Sequence, residues 1–231
     1  DVRHLILDAG SLPLPLLEGQ SVGVLVPGLD GDGKAHLPRL YSISSPRDGE
    51  RPNYNNFSLT VKREEKGLCS NFLCDLNQGD KVKLTGPFGS TFLVPNDPEA
   101  KLLMICTGTG SAPFRAFTMN RQRSDPDLKG ALSLVFGART EASLPYFGPL
   151  NKIPEGFLRK HLVFSRSENQ PKRYVQDDLK DRAAEVLTFL QDPNAYVYIC
   201  GLRAMEEGVE AAFSEVASSL DGGWETIKAK M

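Results

Sequence analysis

From residue 1 to about 96 the apolar and polar positions alternate in short runs with a period of two. VRHLILD (2–8), SVGVLVPG (21–28), RLYSISS (39–45), NFSLTVKRE (56–64) and DKVKLTG (80–86) are separated by Pro, Gly, Asn and Asp. Period-two runs bounded by turn residues predict short antiparallel strands arranged as a barrel or sandwich. One stretch breaks the period. CSNFLCDL (69–76) carries Phe72, Leu73 and Leu76 at helical spacing, with Ser70 and Asn71 as candidate caps.

After PNDPEA (95–100), which reads as a linker, the pattern changes. KLLMIC (101–106), ALSLVFGA (131–138), HLVFS (161–165) and AYVYICG (195–201) are continuous apolar runs. Between them lie the amphipathic stretches APFRAFTMNRQR (112–123), the region after Tyr174, and RAMEEGVEAAFSEVASSL (203–220). Apolar strands alternating with helices predict a parallel sheet, whose ligands bind outside the carboxyl ends of the strands. The expected organisation is therefore an antiparallel β domain over 1–96 and a parallel α/β domain over 97–231.

Composition narrows the function classes. The 231 residues are 40% hydrophobic and 24% charged with a formal net charge of −2, so nothing points to a nucleic-acid or membrane-seeking surface. Cys69, Cys74, Cys106 and Cys200 show no CxxC spacing, and His4, His36 and His161 are scattered, which argues against a metal or iron-sulfur site in this chain. With no secretory segment and no membrane-length apolar run, the expected location is cytoplasmic. The abrupt start at Asp1 in a strand-like run carries the expectation that something precedes it.

Chemistry concentrates after three apolar strands. In KLLMICTGTGSAPFRAF (101–117) a strand runs into a Gly-rich turn and then a helix. Gly108 and Gly110 let backbone amides approach a phosphate, and Pro113 suits the first helical turn. The spacing is G-x-G-x-x-P, and the Lys-Ser/Thr of a nucleotide-hydrolysing loop is missing. Ser165, Arg166, Lys172, Arg173 and Tyr174 follow the third strand of this half. Cations and hydroxyls there suit a monophosphate, and with no acid to grip a ribose diol they point to NADP(H) over NAD(H). AYVYICGLRAM ends a strand at Cys200 and Gly201. A lone cysteine in such a place reads first as a small buried hydrophobe.

These stretches, RLYSISS, GLCSNFL, TGTGSAPFRAF, the SR-to-KRY segment and YVYICGLRAME, resemble in order and spacing the plant-type ferredoxin-NADP reductase family, as does EGQSVGVLVPG (18–28). The resemblance spans nearly the whole chain. It implies a Greek-key β-barrel that holds FAD, an α/β domain that holds NADPH, and electron delivery to an iron-sulfur ferredoxin domain or protein. LPYFGPLNKIP (144–154) and GGWETIKAK (222–230) most resemble the reductase component of benzoyl-CoA oxygenase (epoxidase) systems, in which such a module follows a ferredoxin domain and serves an oxygenase component. The alternatives are a free-standing ferredoxin or flavodoxin reductase, and an FAD-bearing relay or regulatory module without NADPH turnover.

The resemblance assigns roles residue by residue. Arg39 pairs with the FAD pyrophosphate, Tyr41 stacks on the isoalloxazine and Ser42 hydrogen-bonds near its N5, with Ser44, Val61 and Lys62 as neighbouring contacts. Gly67, Leu68, Cys69, Ser70 and Asn71 open a helix toward an FAD phosphate, Cys69 through its backbone. Gly108, Thr109, Gly110, Ala112 and Pro113 meet the NADPH pyrophosphate. Ser165, Arg166, Lys172 and Tyr174 meet the 2'-phosphate end, with Arg173 beside them. Cys200, with Gly201 and Leu202, positions the nicotinamide and is no nucleophile. Lys62, Arg63 and Lys66 are candidates for steering an acidic partner. Cys74 and Trp224 are expected to pack. Family members carry a terminal acid and aromatic lid about ten residues beyond the WETIK segment; neither occurs up to Met231, so either the chain continues past it or this protein does without the lid.

Overall fold

The computed structural model describes residues 1–167 and 171–229, and its contacts divide into two units. The first comprises Asp1–Val94 together with Ala112–Ser124. In it β1 (Val2–Asp8) pairs antiparallel with β4 (Asn56–Lys62), from Val2 opposite Lys62 to Asp8 opposite Asn56. A second antiparallel sheet runs β3 (Arg39–Ser42), β2 (Ser21–Leu25), β5 (Lys83–Phe88). An isolated bridge between Ile43 and Leu59 ties the two sheets together. The expected barrel is therefore realised as two short antiparallel sheets around one core of Val22, Val24, Ile43, Leu59 and Val61. Alternation along each strand supplies one inward apolar set, which is why the core is continuous across both sheets.

Two local expectations change. The RLYSISS strand ends at Ser42, because Ile43 turns to bridge Leu59 and the Ser44 N–H bonds the Ser58 carbonyl. Helix α1 (Leu68–Cys74) starts from Gly67, with no side-chain cap. Ser70 and Asn71 sit inside its first turns and reach backward: the Ser70 hydroxyl donates to the Gly67 carbonyl, and Asn71 Nδ2 donates to those of Gly67 and Glu64. They serve the loop before the helix instead of capping it.

Helix α2 (Ala112–Ser124) follows the Gly-rich turn, yet it clusters with the first unit. Phe114 and Phe117 are buried against Phe92, with ring centroids 6.0 and 6.1 Å away. Sequence order assigns this helix to the second half; its apolar face packs with the first.

The second unit comprises Pro95–Ser111 and the chain from Asp125 onward. Its four strands, β6 (Lys101–Thr107), β7 (Leu132–Ala138), β8 (Leu158–Phe164) and β9 (Ala195–Cys200), form a parallel sheet in the order β8-β7-β6-β9. The strand order reverses at β6, so the loops after β6 and β9 flank the switch point where open parallel sheets form a ligand crevice. A short helix α3 (Phe147–Asn151) precedes β8. The region after Tyr174 forms two helices, α4 (Val175–Asp181) and α5 (Ala183–Leu190). They pack with α6 (Arg203–Val216) over a core of Leu103, Ile105, Val135, Leu179, Val209 and Phe213. The last helix, α7 (Gly223–Lys228), inserts Trp224 4.8 Å from the Phe213 ring, while the Trp224 indole N–H donates to Glu210. Trp224 is thus a packing residue.

Candidate functional site

On β3 the two-residue period puts Arg39 and Tyr41 on one face. Arg39 is exposed and forms no ion pair among the described residues, whereas Tyr41 is half-buried. A lone guanidinium beside an aromatic face is suited to a phosphate with a ring attached. Burial raises the Tyr41 phenol pKa, reinforced by its hydrogen bond with Cys69, so it stays neutral at physiological pH. The Cys69 thiol lies between that hydroxyl and the Val24 carbonyl, its own pKa raised first by burial. Cys69 is therefore occupied with positioning the tyrosine, and Cys74 is buried in the core.

The other residues on this unit divide by exposure. Ser42 is half-buried, opposite Ser21. Ser44 has no exposed surface: its hydroxyl shares a 2.8 Å bond with that of Ser58, which removes it from direct ligand contact. Val61 is likewise fully buried in the core and offers no surface. Gly67, Leu68 and Cys69 keep accessible surface, and Ser70 is buried. Lys62 pairs with Glu64 at 2.7 Å, and Arg63 with Asp75 at 2.7 Å. The steering cluster is locally neutralised, with Lys66 alone forming no ion pair among the described residues.

In the second unit the structure brings the loops after β6 and β9 into contact. Gly108–Ser111 forms a 3-10 turn. A Cβ on Gly110 would fall 2.1 Å from the Cys200 carbonyl oxygen, and one on Gly201 would fall 2.9 Å from Thr107 Oγ1. At Gly110, where the neighbour is backbone, only glycine permits that approach. Thr109 is half-buried beside this junction, and Gly108 leaves open space where a side chain would stand. Burial pushes the Cys200 thiol up to about 11, so at neutral pH it is a protonated, weakly polar group, as a positioning residue requires. Leu202 is exposed next to it. Ala112 and Pro113 are buried at the start of α2, so they shape the turn and offer no surface.

Ser165 and Arg166 leave β8, their N–H groups donating to the Ala138 and Arg139 carbonyls. Arg166 and Lys172 are exposed and form no ion pair among the described residues, and the Tyr174 ring is exposed beside Lys172 in sequence. Arg173 is paired with Asp181 and contributes less free charge. Residues 168–170, within the SR-to-KRY segment, lie outside the described residues. Among the described residues no group of His, Cys, Asp or Glu could hold a metal ion.

Two family profiles match: an oxidoreductase FAD-binding domain over residues 2–92 and an oxidoreductase NAD-binding domain over 104–211. A ferredoxin–NADP reductase of Spirulina is 39% identical across 96% of this chain and 82% of its own length. The chain belongs to the ferredoxin–NADP reductase family. The cyanelle ferredoxin–NADP reductase of Cyanophora paradoxa is 40% identical over 98% of this chain. The solved ferredoxin–NADP+ reductase of Plasmodium falciparum superposes with a TM-score of 0.78 at 28% identity, covering 99% of this chain and 86% of that one. Against the Cyanophora and further curated relatives the chain spans 60 to 67% of their length.

As a member of this reductase family the chain is a flavoprotein oxidoreductase with FAD and NADPH as cofactors. The residues fit both groups: Arg39 beside the Tyr41 ring on one unit, and a glycine-lined turn with Arg166 and Lys172 on the other, none of these three cations forming an ion pair among the described residues.

The strand-and-turn reading missed the ion clusters that hold the chain just after β3. Glu50 accepts from both Arg115 nitrogens, at 2.7 and 2.8 Å, and from the Ser58 hydroxyl at 2.9 Å, while Arg115 also donates to the Ser44 carbonyl. Burial alone raises the Glu50 pKa, but His4, Arg115 and Ser58 outweigh it and hold the carboxyl well below the usual range. Glu18, fully buried, accepts from Arg47 at 2.7 Å and from Asn120 at 3.0 Å. One signal was readable: Arg115 interrupts the apolar run APFRAF, where a charge demands a partner.

Proposed function

We propose that the chain works as a free-standing reductase passing electrons between NADPH and a ferredoxin-type acceptor. The observation that carries this is the likeness, over 94 to 100% of the chain, to proteins that are themselves named ferredoxin–NADP reductase. FAD, when bound, supplies the conversion between two-electron and one-electron transfer. The chain's residues bind and orient. Arg39 would neutralise the pyrophosphate, the Tyr41 ring would stack on the isoalloxazine, and the Ser42 hydroxyl would offer a hydrogen bond to its reactive nitrogen. Arg166, Lys172 and Ser165 grip the 2'-phosphate of NADPH, while Tyr174 stacks on its adenine. The Gly108–Gly110 amides receive the pyrophosphate, and the Cys200 side chain packs against the nicotinamide to restrict its pose. An assay of NADPH oxidation with ferricyanide, then with ferredoxin and cytochrome c, tests the reading. Turnover with both supports it, and absence of NADPH oxidation in FAD-loaded protein overturns it.

A finer reading makes the chain the reductase component of a benzoyl-CoA oxygenase (epoxidase), supplied through an iron-sulfur domain on the same chain or a separate one. LPYFGPLNKIP and GGWETIKAK favour it. The relatives found are ferredoxin–NADP reductases, which favours the free-standing form. An absorption spectrum of the full-length protein separates them: flavin bands alone fit the free reductase, and added broad iron-sulfur absorbance fits the oxygenase component. A relay module without NADPH turnover is excluded by sustained NADPH oxidation.

A further inference from the structure

The parallel sheet of the second unit has a second end. Away from the Gly108–Ser111 turn, a cleft of about 630 Å³ opens among the starts of β6, β7 and β8 and one face of α5. Leu103, Leu132, Val186 and Phe189 give it an apolar floor. Gly130 and Gly156 line it with no side chain, and nothing stands within 4 Å of where a Cβ would be at either. The volume lies within the roughly 300–1,000 Å³ of small-molecule sites.

Among the described residues, two buried polar atoms on this sheet face lack partners. Across the strands the register aligns Leu103 with Ser133 and Ser133 with Arg159. Ser133 lines the cleft, and its Oγ is buried with no hydrogen-bond partner. One row further the register aligns Ile105, Val135 and His161, and the His161 Nε2 is buried without a partner too. Interior strands of parallel sheets are ordinarily Val, Ile and Leu on both faces, and an unmet buried polar atom calls for an explanation.

The charges around the mouth select the ligand. Glu185 is held by Arg159 at 2.6 Å and by Arg182 at 3.2 Å, Asp192 by Lys101 at 2.5 Å, and Glu155 by Lys160 at 2.9 Å. Every acid at the rim is already answered. Lys129 is exposed and forms no ion pair among the described residues. Among the described residues the cleft therefore presents one uncommitted cation, an apolar floor and a buried hydroxyl. Among these residues a cationic ligand would find no free acid, and a polyanion would find a single free lysine.

We propose that this cleft is a second binding site, for a small amphipathic monocarboxylate. Its apolar body lies on Leu103, Val186 and Phe189, its carboxylate meets Lys129, and Ser133 supplies a hydroxyl at the floor.

The test uses FAD-loaded full chain saturated with NADP+, titrated calorimetrically with octanoate and, separately, with octylamine. Octanoate should bind saturably with one site per chain and shift the backbone amide resonances of 129–134 and 185–189, while octylamine should not bind. Lys129→Glu should weaken octanoate at least about tenfold, the loss of one charge-assisted contact, with NADPH oxidation unchanged. Ser133→Ala should weaken it several-fold. Absence of saturable binding, equal binding of octylamine, or full affinity in Lys129→Glu would each overturn the proposal.

Discussion

Arg39 and Tyr41 are two residues apart on one strand face, and each contributes a different kind of contact, a charge and a ring. Replacing both by Ala should weaken FAD binding by roughly a hundredfold, the combined loss of a charge-assisted hydrogen bond and an aromatic contact. Flavin absorbance after gel filtration reads this directly, and retention of a full FAD complement would remove the platform assignment. Arg166 and Lys172 are exposed and form no ion pair among the described residues. Arg166→Ala with Lys172→Ala should raise the KM for NADPH by about two orders of magnitude and leave that for NADH nearly unchanged. An equal rise for both nucleotides would put the 2'-phosphate elsewhere. Cys200 differs in kind: with its thiol pushed up to about 11, alkylation by iodoacetamide at pH 7.5 should be far slower than that of a free cysteine thiol of pKa about 8.5. Rapid labelling at this position would contradict its protonated, half-buried state.

At the scale of elements, α2 is tied to the strands it supports by charge as well as by rings. Its Arg115 satisfies Glu50 and the Ser44 carbonyl, so removing it takes the guanidinium from a largely buried carboxylate and leaves it to His4 and the Ser58 hydroxyl. Arg115→Ala should cost about 3–5 kcal/mol, the usual penalty for breaking a buried pair. The pH dependence has a definite sign. Glu50 has a folded pKa depressed below the roughly 4.3 of a free glutamate, so its stabilisation is present in full above that value. It drains away as pH falls through the unfolded pKa toward the folded one. Denaturation by urea at pH 6 and pH 3.5 should show a smaller acid loss in Glu50→Gln than in the unmodified chain, and equal losses would rule out this pair as the source. The same element shows what sequence spacing leaves open: the NAD-binding profile includes it, while its contacts group it with the first unit. APFRAFTMNRQR predicts the helix from its apolar period, but no period states which core that face enters.

For the whole molecule, that assignment becomes a statement about where the chain can be cut. A fragment of residues 1–96 matches the sequence boundary but lacks Phe114 and Phe117 against Phe92, Arg115 against Glu50 and Asn120 against Glu18. Glu50 then loses its guanidinium partner, at several kcal/mol, while Glu18 keeps Arg47 but loses the Asn120 amide. The 1–96 fragment should stay unfolded by near-ultraviolet circular dichroism, whereas a chain ending at Ser124 should gain fixed tertiary signal; a folded 1–96 fragment would refute the grouping. Much of the architecture was nonetheless legible. Period-two runs and continuous apolar runs determined the antiparallel first half and the parallel second half, because burial on one face or two dictates those patterns locally. The Gly-rich turn, the RLYS strand and the SR-to-KRY cations were visible because each needs particular residue types within a few positions. What only the tertiary structure decided were pairings between residues far apart in the chain: Gly110 against the Cys200 carbonyl, Glu50 with Arg115, Ser44 sealed by Ser58, and Ser133 left unpartnered over an open cleft. Such contacts depend on which elements become neighbours, and a side chain's identity gives its capacity to bond without naming its partner.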